Sequence, residues 1–306
     1  MPINRDQSPV RYTEPPEVLF ACRGITKRYQ GEAVVENIGL ELPEGGIISL
    51  LGPSGAGKTT LFNVLAGVDS PEEGRVFLQG RDITGVSGRV SYMMQKDLLL
   101  EYRTVLDNVI LPLLIRRKFP PSAGPPSTGA ALPAPPEGGK RRLTKKEARE
   151  YGASFFARFG LSGCEKKYPR QLSGGMRQRA ALLRTCMLSN PVILLDEPFS
   201  ALDALTRRSM HQWFQEIAGE MRFAALFITH DIEEALILSD RVYILNAGEK
   251  QPGRIGGCFE VKTPRPRNEE FSVSGELVDL KRKILGLIRR GSISAQFPQQ
   301  FAVLHS

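Results

Sequence analysis

Short apolar runs rich in β-branched residues recur at 18–22, 47–51, 90–94, 191–195, 223–228 and 242–245, with helical spacing between most of them. That alternation predicts an α/β fold with a mainly parallel sheet. Val192-Ile193-Leu194-Leu195 is apolar at every position, as suits a central strand covered on both faces, so its C-terminal end is expected to meet a ligand. A helix is expected from Thr59 to Ala66. Thr144 and Glu147 have capping-box spacing and predict a second helix running to about Phe159, stopped by Gly160. Near the end, Leu277, Leu280, Ile284, Leu287 and Ile288 recur at helical spacing and predict an amphipathic helix packed on the domain.

One stretch breaks the pattern. Residues 119–139, FPPSAGPPSTGAALPAPPEGG, hold seven prolines and almost no charge, too little to bury against the entropy of ordering, so a mobile, partly polyproline insert is expected there. The whole 306-residue chain is 41% hydrophobic, enough for a substantial core. A membrane-spanning helix needs about 20 apolar residues, whereas the best stretch, 105–115, is short and broken by Asp107, Asn108 and Pro112. The N-terminus MPINRDQSPVRYTEPPEV has no apolar core of a secretory signal, so a cytosolic protein is expected. Cys22, Cys164, Cys186 and Cys258 lie far apart, with only three histidines, and are expected as free thiols without metal-ligand spacing. The net charge of +8, clustered at 140–142, 145–146, 281–283 and 289–290, suits either an anionic partner or solvated helix faces.

Candidate chemistry begins after the second apolar run. In GPSGAGKTT, residues Gly52, Pro53, Ser54, Gly55, Ala56, Gly57, Lys58, Thr59 and Thr60 have the strand-loop-helix spacing in which backbone N–H groups turn inward around phosphate oxygens. A nucleoside triphosphate is the expected ligand. In VILLDEP an apolar strand delivers two adjacent carboxylates, with Asp196 placed to hold Mg²⁺ and Glu197 to orient and polarise an attacking water. In LSGGMRQR, a Ser-Gly-Gly turn opens onto a helix and forms a second anion-binding helix start. Two such sites imply two triphosphates, or one shared between two copies.

Together these motifs resemble the nucleotide-binding subunit of an ATP-binding cassette transporter over roughly 18–245. The resemblance implies a P-loop NTPase core with an antiparallel β subdomain and an α-helical signature subdomain. It implies ATP and Mg²⁺ as ligands, the metal held by Thr59, Gln95 and Asp196, and catalysis by Glu197, His230, Gln95 and Lys58. Tyr29 resembles the aromatic that stacks on adenine, Gln95 the glutamine that senses the membrane partner, Asp203 the residue coupling two sites, and His230 the switch histidine that bonds the γ-phosphate. Ser173, Gly174 and Gly175 are implied to act in trans, on ATP held by the second copy of a homodimer. His211, Trp213 and His305 match no motif and are taken as structural.

The wording of residues 97–115 and 264–285 resembles importer ATPases of the nitrate, sulfonate and taurine group. This implies a peripheral subunit at the cytoplasmic face of the membrane, with a permease partner and, indirectly, an extracytoplasmic solute-binding protein. Export, or a soluble cassette acting on nucleic acid or ribosomes, is the competing reading, and only the basic charge favours nucleic acid. The expected organisation is a flexible N-terminus 1–17, an ATPase domain 18–248 with the insert 119–142 ahead of a helical subdomain 143–190, and a tail 249–306 with one amphipathic helix.

Overall fold

The computed structural model describes residues 18–115, 144–248 and 251–293. The expected flexible N-terminus 1–17, the Pro-rich insert 119–142 and His305 lie outside the described residues.

Strands β1 (Val18–Tyr29) and β2 (Glu32–Pro43) form an antiparallel ribbon, followed by β3 (Ile47–Leu51) and helix α1 (Lys58–Leu65). Next come β4 (Glu73–Leu78), β5 (Arg81–Asp82), β6 (Ser91–Met93), α2 (Val105–Val109) and α3 (Leu111–Ile115). After the insert follow α4 (Lys145–Ala153), α5 (Gly174–Cys186), β7 (Val192–Asp196), α6 (Ala204–Met221), β8 (Ala224–Thr229), α7 (Ile232–Leu238) and β9 (Arg241–Asn246). The chain then adds β10 (Arg254–Glu260), α8 (Glu269–Ser272) and α9 (Gly275–Ile293).

Two sheets result. One is antiparallel in the order β2-β1-β4-β5; the other runs β10-β9-β3-β8-β7-β6 and is parallel except at the β10 edge. Every residue of β3, β7 and β8 is buried, which is why these strands are apolar nearly throughout. On one face, α1 fills the space between the sheets through Leu61, Phe62 and Leu65. The opposite face is covered by the helical subdomain and α6, through Leu183, Phe156 and Phe214.

Two elements have other bounds than the sequence predicts. The helix after Thr144 has its full capping box but ends at Ala153, not near Phe159. Gly152 packs so closely on Ile110 that a Cβ there would lie 2.5 Å from its Cγ2, and the chain beyond Ala153 turns Phe155, Phe156 and Phe159 into the core. Gly160, expected to stop that helix, instead lies at φ +64 in the turns that follow it. The first strand continues to Tyr29 through irregular pairings near Ile25, which break the alternation that marks a strand in sequence.

The tail carries more than its helix. β10 pairs with β9, and Arg267 is buried with its guanidinium donating to the carbonyls of Leu236, Ile237 and Ser239 at the end of α7. Burial pushes the Arg267 pKa down to about 10, and the Phe271 ring lies 5.3 Å away. These bonds occupy carbonyls that α7 leaves unpaired and place a cation at its negative end. The tail thus braces the helix that starts beside His230.

Candidate active site

A cleft of about 470 Å³ opens at the C-terminal ends of β3, β7 and β8, lined by Val34, Ser54, Gly55, Gly57, Lys58, Thr59, Thr60, Gln95, Asp196, Glu197 and His230. Topology explains its place: loops leaving the same end of parallel strands converge there. Gly57 is the N-cap of α1 at φ +91, and a Cβ on it would meet Val35 Cγ1 at 2.6 Å. Only glycine fits. The loop therefore lies flat, and the N-terminus of α1, with its unpaired N–H groups, faces the cleft.

Lys58 is buried, and its ammonium donates to the carbonyls of Gly52 at 2.9 Å and Pro53 at 2.8 Å. Burial lowers its pKa while the nearby carboxylates of Glu197 and Asp196 oppose that shift. The lysine ammonium thus bridges two carbonyls of its own loop, and phosphate oxygens are chemically equivalent acceptors for it.

The two carboxylates separate as the sequence requires, and backbone geometry is the reason. Asp196 ends β7, buried, accepting from the Thr59 hydroxyl at 3.2 Å, with the Tyr92 hydroxyl at 3.5 Å. Glu197 follows in the left-handed region at φ +46, a conformation costing about 1–2 kcal/mol in a non-glycine residue. Its amide is held by the Ile228 carbonyl at 3.1 Å. The carboxylate accordingly sits between two partners, Gln95 Nε2 at 3.0 Å and His230 Nδ1 at 3.3 Å.

Burial raises the Asp196 pKa, and the Glu197 charge adds to it against the bonds from Thr59 and Tyr92. A carboxyl whose pKa is raised on folding stabilises the fold when protonated, and that contribution is lost as pH rises through the folded value. Asp196→Asn is therefore expected to melt about 2–4 °C above the parent at pH 8 without nucleotide. The gap should narrow as pH falls toward the ordinary carboxyl value of 3.8. A variant that melts below the parent at pH 8 would show that the carboxylate is not strained by its burial.

The other candidates lie elsewhere. Tyr29 is exposed and outside the cleft lining, its hydroxyl bonded to Asp69 at 2.7 Å and its ring 5.1 Å from the Lys27 ammonium. Ser173 is the N-cap of α5, accepting from the Met176 amide at 3.4 Å, and Gly175 packs on Thr206. Asp203 caps α6 through the Thr206 amide at 3.0 Å. These four do not reach their own chain's cleft. His211 and Trp213 are buried as expected, His211 bonded to Glu234 at 2.8 Å and Trp213 under Arg179 at 4.7 Å.

Sequence reasoning missed Val34 and Tyr92. Val34 faces the cleft while its neighbour Val35 enters the core, the alternation a strand imposes, but an isolated Val-Val pair carries no signal of which face meets a ligand. Tyr92 is legible only once β6 is known to lie beside β7.

A family model for the ABC transporter matches residues 35–200. The formylaminopyrimidine import ATP-binding protein ThiZ of Halalkalibacterium halodurans is 41% identical over 264 residues, covering 85% of this chain and 92% of ThiZ. The chain belongs to the ABC transporter family. The sulfate/thiosulfate import ATP-binding protein CysA 1 of Agrobacterium fabrum is 37% identical over 256 residues, covering 83% of this chain and 67% of that protein. Among solved structures, the dimeric structure of the bacterial ABC transporter cassette MJ0796 aligns with a TM-score of 0.61 at 24% identity. It covers 80% of this chain and 100% of that one, and shows the same fold. This ABC cassette is thus an ATPase. Among the described residues no helix is long and apolar enough to cross a membrane.

Proposed function

We propose that this ABC ATPase is the energy-supplying subunit of an importer, working as an ATP-bridged homodimer at the cytoplasmic face of the membrane. The observation that carries the catalytic part is the Gln95–Glu197–His230 constellation beside the Lys58 loop. Lys58 and the α1 N-terminus bind the phosphates, Glu197 takes up the proton of the attacking water, and His230 orients Glu197 and donates toward the γ-phosphate. Tyr29 is assigned the adenine. Its exposed ring is available for stacking.

The Thr59 hydroxyl and Asp196 carboxylate form a pair of hard oxygen donors 3.2 Å apart, which suits Mg²⁺ held jointly with phosphates and water. Gln95 is assigned to the same ion, although here its amide is turned to Glu197. When bound, the metal supplies charge neutralisation on the transferred phosphoryl group.

Ser173, Gly174 and Gly175 lie outside their own cleft at the start of a 13-residue helix, the placement required of groups that complete a second copy's site. ATP then bridges two chains and ADP does not, so nucleotide state shifts an open–closed equilibrium that a permease can feel. Asp203, exposed beside this turn, is assigned to the same interface.

Import is supported by the printed functions of ThiZ and CysA 1. Of the two, ThiZ matches over more of its length, so a small heteroaromatic such as a formylaminopyrimidine is favoured over the nitrate-, sulfonate- or taurine-like anion that the sequence wording suggests. The test is a pull-down of tagged Glu197→Gln with Mg-ATP from solubilised host membranes. Recovery of a multi-helix permease with an extracytoplasmic solute-binding protein is expected, and that binding protein should be thermally stabilised by the pyrimidine. A permease recovered without any solute-binding protein would favour export, and ribosomal proteins or nucleic acid would overturn the transport assignment.

A further inference from the structure

Gln95 lies on an irregular segment between Met93, the end of β6, and Val105, the start of α2. Its exposed side chain meets Glu197, so its aim depends on what holds that segment. From one side, Asn108 of α2, fully buried, accepts from the Leu100 amide at 2.6 Å and donates to the carbonyls of Leu100, Arg103 and Thr104. The portion nearer Gln95 is held from α5.

Two arginines do this. Arg177 grips the Asp97 carboxylate with Nε at 2.8 Å and a terminal nitrogen at 3.2 Å, and the same nitrogen reaches Glu101 at 2.8 Å. Arg184, seven residues along α5, donates to the carbonyls of Asp97 and Leu98. Between these grips Leu98 stands in the left-handed region at φ +47, a strained setting for a leucine that persists only where neighbours enforce it. Burial opposes the charge on Asp97, yet the Arg177 bonds and the Leu99 amide hold its carboxyl below the usual value.

We propose that Asp97 is a positioning residue for ATP hydrolysis: held by Arg177 and Arg184, it aims Gln95 at Glu197 and ties that aim to the helix capped by Ser173. The proposal rests on the reading of Glu197 as the carboxylate that receives the water proton. Its consequence is mechanical. Asp97 stands two residues from Gln95, and Arg177 stands four residues from Ser173, so one bidentate ion pair joins the group that sets a chain's own carboxylate to the group that completes its partner's site. Bidentate charge-assisted pairs fix orientation as well as distance.

The experiment measures ATP turnover, KM and melting temperature of full-length Asp97→Asn, Gln95→Ala and the double variant. Asp97→Asn is expected to lower kcat about tenfold with KM within about twofold, and to add nothing in the Gln95→Ala background. Arg177→Lys, which keeps the charge and loses the two-pronged grip, should fall between parent and Asp97→Asn. A loss that multiplies onto Gln95→Ala, or a parental kcat for Asp97→Asn, would overturn the proposal and leave the Glu197 reading standing. A parental kcat for Gln95→Ala would likewise overturn the proposal, whereas near-parental turnover of Glu197→Gln would overturn the Glu197 reading itself.

Discussion

Glu197→Gln is expected to cut ATP turnover by about a hundredfold or more while leaving ATP affinity within about threefold. The substitution keeps the shape and leaves a carboxamide between Gln95 and His230, so the geometry at 3.0 and 3.3 Å survives. What it removes is the negative charge that accepts the water proton, an effect felt in the transition state and not in the bound ground state. A coupled phosphate-release assay beside an equilibrium ATP titration separates the two. Near-parental turnover would move the general base to another residue.

Lys58→Ala is expected to act on binding itself, weakening ATP by about a hundredfold or more and carrying turnover down with it. The ammonium is already desolvated and already bonded to two carbonyls of its own loop, so exchanging them for phosphate oxygens requires little reorganisation. Alanine loses the charge and also frees the Gly52 and Pro53 carbonyls. Titration with a fluorescent ATP analogue reports the affinity; an unchanged value would show that the backbone amides and the α1 N-terminus suffice.

Much of this arrangement was legible because its signals are local. The spacing from Gly52 to Thr60 dictates a flat loop and a helix start, and the apolar run 192–195 ending in two carboxylates dictates a buried strand with chemistry at its tip. The expectation that Asp196 and Glu197 take different tasks followed from the apolar strand giving way to a loop at its end. The positive φ that separates them did not.

Long-range features were less visible. β10 reads as a glycine-interrupted segment, RIGGCFE, whose strand character comes from pairing with β9 and not from its own residues. The early end of α4 was hidden because Phe155, Phe156 and Phe159 have helix-compatible spacing, while the close approach of Gly152 to Ile110 exists only in the folded chain. The Asp97 grip likewise needs α5 laid beside the segment after β6, and eighty residues separate its partners in the sequence. Tyr29 is a motif position that is clear in the sequence, yet its hydroxyl partner in the structure, Asp69, lies forty residues away.

The central claim, that two chains share each ATP, is tested most directly by the solution mass of Glu197→Gln in Mg-ATP, measured by light scattering after size exclusion. Twice the 33.8 kDa chain is expected in ATP, a single chain in ADP, and a single chain in ATP once Ser173→Arg is added. A Glu197→Gln protein that binds ATP yet stays at one chain, or a dimer indifferent to Ser173→Arg, would contradict it.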